Sequence, residues 1–124
     1  GGVDALKDVS LTIEDGDIID IIGNRNSLAL GLYENGVLTG ISLGNVMHWY
    51  MGTNYYIIEL GIKPECQGRG LGTEFLRMIE EYIHANGISC IFLQTERNMP
   101  AYDFYRKNGF DLLDGHVSLT KFLK

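Results

Sequence analysis

The stretch Ile62-Lys63-Pro64-Glu65-Cys66-Gln67-Gly68-Arg69-Gly70-Leu71-Gly72-Thr73 decides the fold. An apolar, strand-like run ends at Ile62, a glycine-rich turn follows, and an amphipathic segment opens at Leu71. A helix that starts there leaves its first backbone N–H groups without intrahelical partners, at the positive end of its dipole. Such a site attracts a phosphate or pyrophosphate. The alternating Gly68, Gly70 and Gly72 free the backbone for unusual φ and for close approach of a ligand. The spacing is not the dinucleotide fingerprint G-x-G-x-x-G, and no Gly-Lys-Ser/Thr follows to make a P-loop. Taken alone, the turn reads equally well as a tight structural connection.

Outward from the turn, Tyr55–Ile62 predicts a strand whose near-continuous apolar pattern suits a central place in a sheet. Leu71–Asn86 predicts a helix, with Leu71, Phe75, Ile79, Tyr82 and Ile83 on one stripe. Asn86-Gly87 is its stop signal. Ser89–Thr95 predicts the next strand, completing a right-handed strand–helix–strand crossover. Upstream, Ser27–Glu34 and about Val37–Val46 predict a hairpin around Asn35-Gly36, because both central positions of a type I′ turn need positive φ. Met47–Asn54 reads as a loop. Asp17–Ile22 reads as a helical turn, with a short strand as the alternative. Downstream, Pro100–Lys107 predicts a short helix ended by Asn108-Gly109. Phe110–Leu113 and Val117–Phe122 predict two closing strands turning at Asp114-Gly115. The order implies an α/β (α+β) fold, with helices packed on a mixed sheet.

The chain has 124 residues, 45% of them hydrophobic, enough for one domain spanning 1–124 with a real core. No apolar run reaches the roughly 18 residues needed to cross a bilayer, and Gly1-Gly2-Val3-Asp4 has no signal-peptide character. The expectation is no membrane association. The net charge of −6 argues against a basic nucleic-acid-binding face and mildly favours a cationic partner. Cys66 and Cys90 form no C-x-x-C pair and read as reduced thiols in a cytoplasmic protein, Cys90 as a small buried apolar residue. His48, His84 and His116 have no metal-ligand spacing and read as surface or loop residues; no metal is expected.

About thirty residues beyond the glycine turn comes Asn98-Met99-Pro100-Ala101-Tyr102-Asp103-Phe104-Tyr105-Arg106-Lys107-Asn108-Gly109-Phe110. With Gln67-Gly68-Arg69-Gly70-Leu71-Gly72, which fits Gln/Arg-x-x-Gly-x-Gly, it makes residues 27–124 resemble the GNAT superfamily of acetyl-CoA-dependent N-acetyltransferases. The resemblance implies a mixed, mostly antiparallel central sheet with helices on both faces. The family normally begins with a further strand and helix, so the N-terminal region reads as incomplete.

It also implies roles. The turn Gln67, Gly68, Arg69, Gly70, Leu71, Gly72 and Thr73 would cradle the pyrophosphate of coenzyme A, with Arg69 adding charge or simply standing in solvent. Leu60, Gly61 and Ile62 would pair with the pantetheine arm, and a freed N–H near Ile62 would stabilise the oxyanion. Gly61 also suggests a bulge by itself. Asn98 would bond the pantetheine, cap the following helix, or both. Tyr105 would protonate the departing CoA thiolate, its competing role being ring packing, for which Phe104 is the better candidate. Glu59, a carboxylate inside an apolar strand, is the candidate base, with a structural hydrogen-bonded role as the alternative. Glu96 is a second candidate, or a cap or ion-pair partner of Arg97. Trp49, Tyr50, Tyr55 and Tyr56 line an acceptor pocket or pack the hairpin.

The function implied is transfer of an acetyl group from acetyl-CoA, as co-substrate, to a primary amine of a small cationic molecule in a ternary complex. A noncatalytic CoA-binding or regulatory module and a protein or peptide N-acetyltransferase are the alternatives. Dimers are common among resembling proteins, so a homodimer is one expectation.

Overall fold

A computed structural model of the chain describes residues 9–13, 26–49 and 52–124. Asp17–Ile22 and Tyr50 lie outside the described residues. Two compact units divide the chain, Gly1–Gln94 and Thr95–Lys124.

In the first unit five strands, β1 (Val9–Ile13), β2 (Ser27–Glu34), β3 (Val37–Trp49), β4 (Gly52–Ile62) and β5 (Cys90–Leu93), form one sheet in chain order. Pairing is antiparallel up to β4 and parallel between β4 and β5. The sheet is therefore mixed and mostly antiparallel. Strand β1 carries no sequence signal strong enough to have been read as a strand.

Asn35 and Gly36 have φ of 52° and 78°, the two positive values that the Asn-Gly turn demands. Strand β3 then runs on to Trp49 and β4 begins at Gly52, so the expected loop Met47–Asn54 is instead the long end of a hairpin. His48 pairs with Thr53 and Met47 with Asn54 in that ladder. Its aromatic and glycine content suggests a loop, but cross-strand pairing supplies what local propensity lacks.

Helix α1 (Leu71–Ala85) lies on one face of the sheet. Leu71, Phe75, Leu76, Ile79 and Ile83 are buried on it, and Leu71, Phe75, Ile79 and Ile83 meet Leu30, Leu32, Tyr55 and Ile57 of the strands in one core. Each such side chain stabilises the fold by roughly 1.5–3 kcal/mol through burial. The helix ends in a Schellman motif. Gly87, with φ of 82°, donates its N–H to the His84 carbonyl at 3.2 Å, and Ile88 donates to that of Ile83 at 3.0 Å. Ile83 and Ile88 are both buried, the apolar contact this motif favours.

Tyr55 is fully buried. Its hydroxyl donates to the Leu28 carbonyl at 3.1 Å. A phenol has one proton, so the 2.8 Å contact with Ser42 Oγ is a bond that Ser42 donates. Burial pushes the Tyr55 hydroxyl up to about 12.

The second unit holds α2 (Pro100–Lys107), with Pro100 in its first turn. It too ends in a Schellman motif, Gly109 N–H to Arg106 and Phe110 N–H to Tyr105 at 3.3 and 3.0 Å. A turn closes at Asp114-Gly115, where His116 donates to the Leu113 carbonyl at 3.1 Å. The expected strands Phe110–Leu113 and Val117–Phe122 do not form. Alternating apolar residues mark a face suited to burial, but a strand also requires a neighbour to take its N–H and C=O groups.

Candidate functional site

The glycine turn begins where β4 ends. A short 3₁₀ turn, Pro64–Cys66, follows Lys63. Lys63 donates its N–H to the Thr39 carbonyl at 2.8 Å, tying the turn to β3. Gln67 Nε2 donates to the Ile62 carbonyl at 3.0 Å, so this side chain braces the turn. Gly68 and Gly70 have φ of 81° and 76°, values an L side chain rarely adopts, and a Cβ on either would meet only open space. Glycine is therefore required by conformation, not by crowding.

Gly70 is the N-cap of α1, and no side chain caps it. The helical ladder starts with the Glu74 N–H on the Gly70 carbonyl at 3.2 Å. The N–H groups of Leu71, Gly72 and Thr73 precede that bond and face outward from the helix start, the arrangement that suits a phosphate. Arg69 is exposed to solvent and also paired. Its guanidinium forks onto the Glu34 carboxylate at the end of β2, with Nη1 to Oε1 at 3.0 Å and a second, shorter bond from Nη2 to Oε2. Each partner shifts the other: the Arg69 bond holds the Glu34 carboxyl below its ordinary value, and Glu34 raises Arg69.

Strand β4 carries an irregularity beside this turn. Leu43 pairs with Glu59 and Gly44 with Ile57, so Ile58 is an extra residue, a β-bulge. Gly61, where a bulge was expected, is in regular register opposite Ile41. The cause lies across the ladder, at Gly44. A Cβ there would come within 2.1 Å of the Tyr56 carbonyl oxygen, so only glycine permits this backbone approach.

The bulge changes which side chains face α1. Before it, Tyr55 and Ile57 point into the core; after it, Leu60 and Ile62 do. Without the extra residue, Glu59 would share the face of Tyr55 and Ile57. With it, Glu59 is exposed on the opposite face. The price of a carboxylate in an apolar strand is thereby avoided. The parallel ladder to β5 ends at Ile57 with Leu93, so among the described residues β4 from Ile58 to Ile62 has ladder partners only in β3. Leu60, Gly61 and Ile62 lie along that edge.

On the Glu59 face lies an aromatic group. Trp49 and Tyr56 each meet the Phe92 ring edge-on, at 5.5 and 5.4 Å between centroids. Tyr56 donates its hydroxyl to Gln94 Oε1 at 2.7 Å. Tyr55, expected beside them, is on the core side. Phe92 and Asn54 escaped the sequence reading, the first as one apolar residue in an apolar strand, the second as part of a presumed loop. Glu34 escaped because its partner lies 35 positions away.

In the second unit, the N-cap of α2 is Met99, in extended conformation, and no side chain bonds the helix start. Asn98 does not cap the helix. It stands one residue earlier, in the turn that Met99 closes by donating to the Glu96 carbonyl at 3.1 Å. Among the described residues no ion pair joins Glu96 to Arg97, whose guanidinium lies 6.0 Å from the Tyr102 ring centroid. Tyr105 packs between Phe104 and Phe110, at 5.3 and 5.1 Å between ring centroids. Burial raises its hydroxyl above the ordinary value, keeping it protonated.

Cys90 is exposed at the start of the short edge strand β5, contrary to the buried position expected; Cys66 is half-buried and also free. No cluster of three potential metal ligands occurs among the described residues. None of the described helices is long and apolar enough to cross a membrane.

A family model, described as the acetyltransferase (GNAT) family, matches residues 5–110. The chain belongs to the GNAT acetyltransferase family. The matched range includes β1, which pairs with β2 in the sheet. Among GNAT relatives, an uncharacterized N-acetyltransferase of Methanocaldococcus jannaschii, MJ1530, is 33% identical over 94 residues, covering 68% of this chain and 60% of that protein. YobR, an uncharacterized N-acetyltransferase of Bacillus subtilis, is 29% identical over 86 residues, covering 68% and 33%. The chain thus spans between a third and three fifths of these relatives.

The GNAT fold is shared by a Staphylococcus aureus GNAT acetyltransferase, with a TM-score of 0.73 at 15% identity over 94% of this chain and 99% of that one. It is shared also by AAC(6')-Iy, solved with the bisubstrate analog CoA-S-monomethyl-acetylneamine, with a TM-score of 0.73 at 11% identity over 93% and 99%.

Proposed function

We propose that this chain carries the acetyl-transfer activity of its family, moving the acetyl group of acetyl-CoA to a primary amine of a small cationic molecule. The observation that carries the reading is the junction of β4 and α1. A bulged strand whose outer edge has no ladder partner among the described residues leads into a turn whose N–H groups precede the helical ladder. The turn Gly68–Thr73 suits the pyrophosphate, and the edge of Leu60, Gly61 and Ile62 suits the amides of the pantetheine arm.

The amine attacks the thioester carbonyl directly. Its nitrogen must be neutral, so a proton leaves to Glu59, directly or through water. The new C–N bond pushes charge onto the carbonyl oxygen, which an N–H of the β4 edge stabilises. Collapse breaks the C–S bond, and Tyr105 donates its proton to the leaving thiolate. Holding both substrates in one cleft supplies much of the rate. A structural neighbour described as an aminoglycoside acetyltransferase, meta-AAC0020 from an uncultured soil metagenomic sample, and the net charge of −6 support a cationic acceptor. A cytoplasmic setting fits the two free thiols.

The test is acetyl-CoA turnover against a panel of amines, alongside calorimetry with coenzyme A. Turnover with at least one primary amine is the expected result. Coenzyme A binding without acetyl transfer to any amine, peptide or thiol would replace this reading with a noncatalytic module. No binding at all would reject both.

A further inference from the structure

We infer that the segment Val117–Leu123 of one copy pairs along the outer edge of β5 in a second copy, reciprocally, and so holds two chains together as a dimer. This goes beyond the acetyl-transfer reading and does not depend on it.

The segment is apolar and lies in solvent. Val117, Leu119, Phe122 and Leu123 are 81%, 91%, 89% and 86% exposed. Single apolar side chains on a surface are ordinary, but four within one short segment form a continuous patch, and such patches mark interaction sites. Residues 117–123 read Val-Ser-Leu-Thr-Lys-Phe-Leu, with the β-branched and aromatic types that suit a strand. Yet residues 110–124 contain no strand. The segment has the sequence of a strand without a ladder to join.

Strand β5 has the matching deficit. It ends the strand order and pairs with β4, and among the described residues it has no ladder partner on its outer side. Such an edge recruits another chain unless something blocks it. Its sequence, Cys-Ile-Phe-Leu, has no charge or proline to do so. The two faces of β5 also fit the segment. Ile91 and Leu93 pack toward the α1 core. Phe92 points the other way, where it lines a cavity of about 150 Å³ with Met47, Trp49, Asn54 and Tyr56. Alternation puts Val117, Leu119 and Leu123 on one face of an added strand and Phe122 on the other. Laid along β5, the first three extend the α1 side and Phe122 extends the aromatic side.

Charge selects the partner. Val117–Lys124 holds Lys121 and Lys124 and no acidic residue, so it carries +2, and the rest of the chain carries −8 (−6 minus +2). The segment is therefore complementary to the body of this same sequence. Its own chain leaves the four apolar side chains in solvent, so the body that covers them belongs to a second copy. A two-fold relation lets each copy give its segment and receive the other's, which closes the assembly at two.

The test is the mass of the whole chain in solution, by light scattering and sedimentation over a dilution series. A dimer that dissociates on dilution is the expected result. Leu119→Gln combined with Phe122→Gln, both at exposed positions, should leave a folded chain by circular dichroism and weaken the dimer at least about tenfold. Lys121→Glu combined with Lys124→Glu should also weaken it, and by less at high salt. Hydrogen exchange of the Cys90–Leu93 amides should be slower in the wild-type dimer than in the glutamine variant. A monomeric wild-type chain would overturn the inference, since the segment would then seat in its own chain or nowhere. So would a dimer that the folded glutamine variant retains undiminished, or β5 exchange that is equal in the two proteins. An undiminished dimer in the glutamate variant would remove the charge complementarity that selects a second copy, and overturn it too.

Discussion

The guanidinium of Arg69, between the two positive-φ glycines of the turn, is forked onto the carboxylate of Glu34 at the far end of β2. The pair joins the turn that opens α1 to the strand that leads into the Asn35-Gly36 hairpin. It also places a negative group beside a site suited to phosphate. Glu34→Gln should release Arg69 toward phosphate and tighten coenzyme A severalfold at low salt. The gain should shrink as ionic strength rises. Calorimetric titration at two salt concentrations checks both statements.

The same pair has a pH signature. The folded-state carboxyl of Glu34 lies below its unfolded value. Its contribution to stability is therefore present above the ordinary glutamate range and lost as pH falls through the lowered folded value. Glu34→Gln should flatten that part of the acid stability profile, measured as urea midpoints between neutral and acid pH.

Tyr55 acts at the other extreme. Its hydroxyl is pushed up to about 12 in the fold, from the ordinary tyrosine value of about 10 that the unfolded chain retains. Stability is then complete below about pH 10 and declines as pH rises toward about 12, by up to about 3 kcal/mol. Tyr55→Phe, though less stable at neutral pH, should lose less of its stability over that alkaline interval. Denaturant titrations of both proteins at neutral and alkaline pH read this directly.

Gly44 allows no side chain. With a Cβ 2.1 Å from a backbone oxygen and 2.7 Å from Tyr55 Cε1, Gly44→Ala must shift β3 from β4. A loss of about 1–3 kcal/mol is expected, seen as a lowered urea midpoint, with acetyl transfer reduced more than coenzyme A binding. An unchanged midpoint would show that the bulge does not depend on this glycine.

Tyr105→Phe keeps the ring between Phe104 and Phe110 and removes only the hydroxyl. Stability should be nearly unchanged while kcat falls about 10²–10⁴-fold, the range of a general acid. In the wild-type enzyme the alkaline limb of the rate profile should lie above the ordinary tyrosine range, because burial keeps the phenol protonated. Unchanged kcat in the variant would assign the tyrosine to packing alone.

Elements with a strong local signature were legible in the sequence. Helix α1 announces itself through the stripe from Leu71 to Ile83 and its Gly87 stop, the hairpin through Asn35-Gly36, and α2 through Pro100 and Gly109. The glycine turn was legible because positive φ demands glycine. What escaped depends on partners remote in sequence. The bulge sits at Ile58 because Gly44 lies across the ladder. Arg69 is engaged because Glu34 is near in space. The long hairpin end from Met47 to Asn54 exists through cross-strand pairing, which masked Asn54 and the cavity it lines. The near-continuous apolar look of β4 also has its explanation here. It is two alternating patterns of opposite phase, Tyr55 and Ile57, then Leu60 and Ile62, joined at the bulge.

That phase reversal makes residue count on β4 as consequential as residue identity. Deleting Ile58 would change no charged or polar group, yet it would invert the parity of everything on one side of the gap. Either Glu59 would be driven against Phe75, or the turn that follows would be rotated half a pleat from its seat on Thr39. A single-residue deletion here is thus a frame error in three dimensions, and substitution scans would never reveal it.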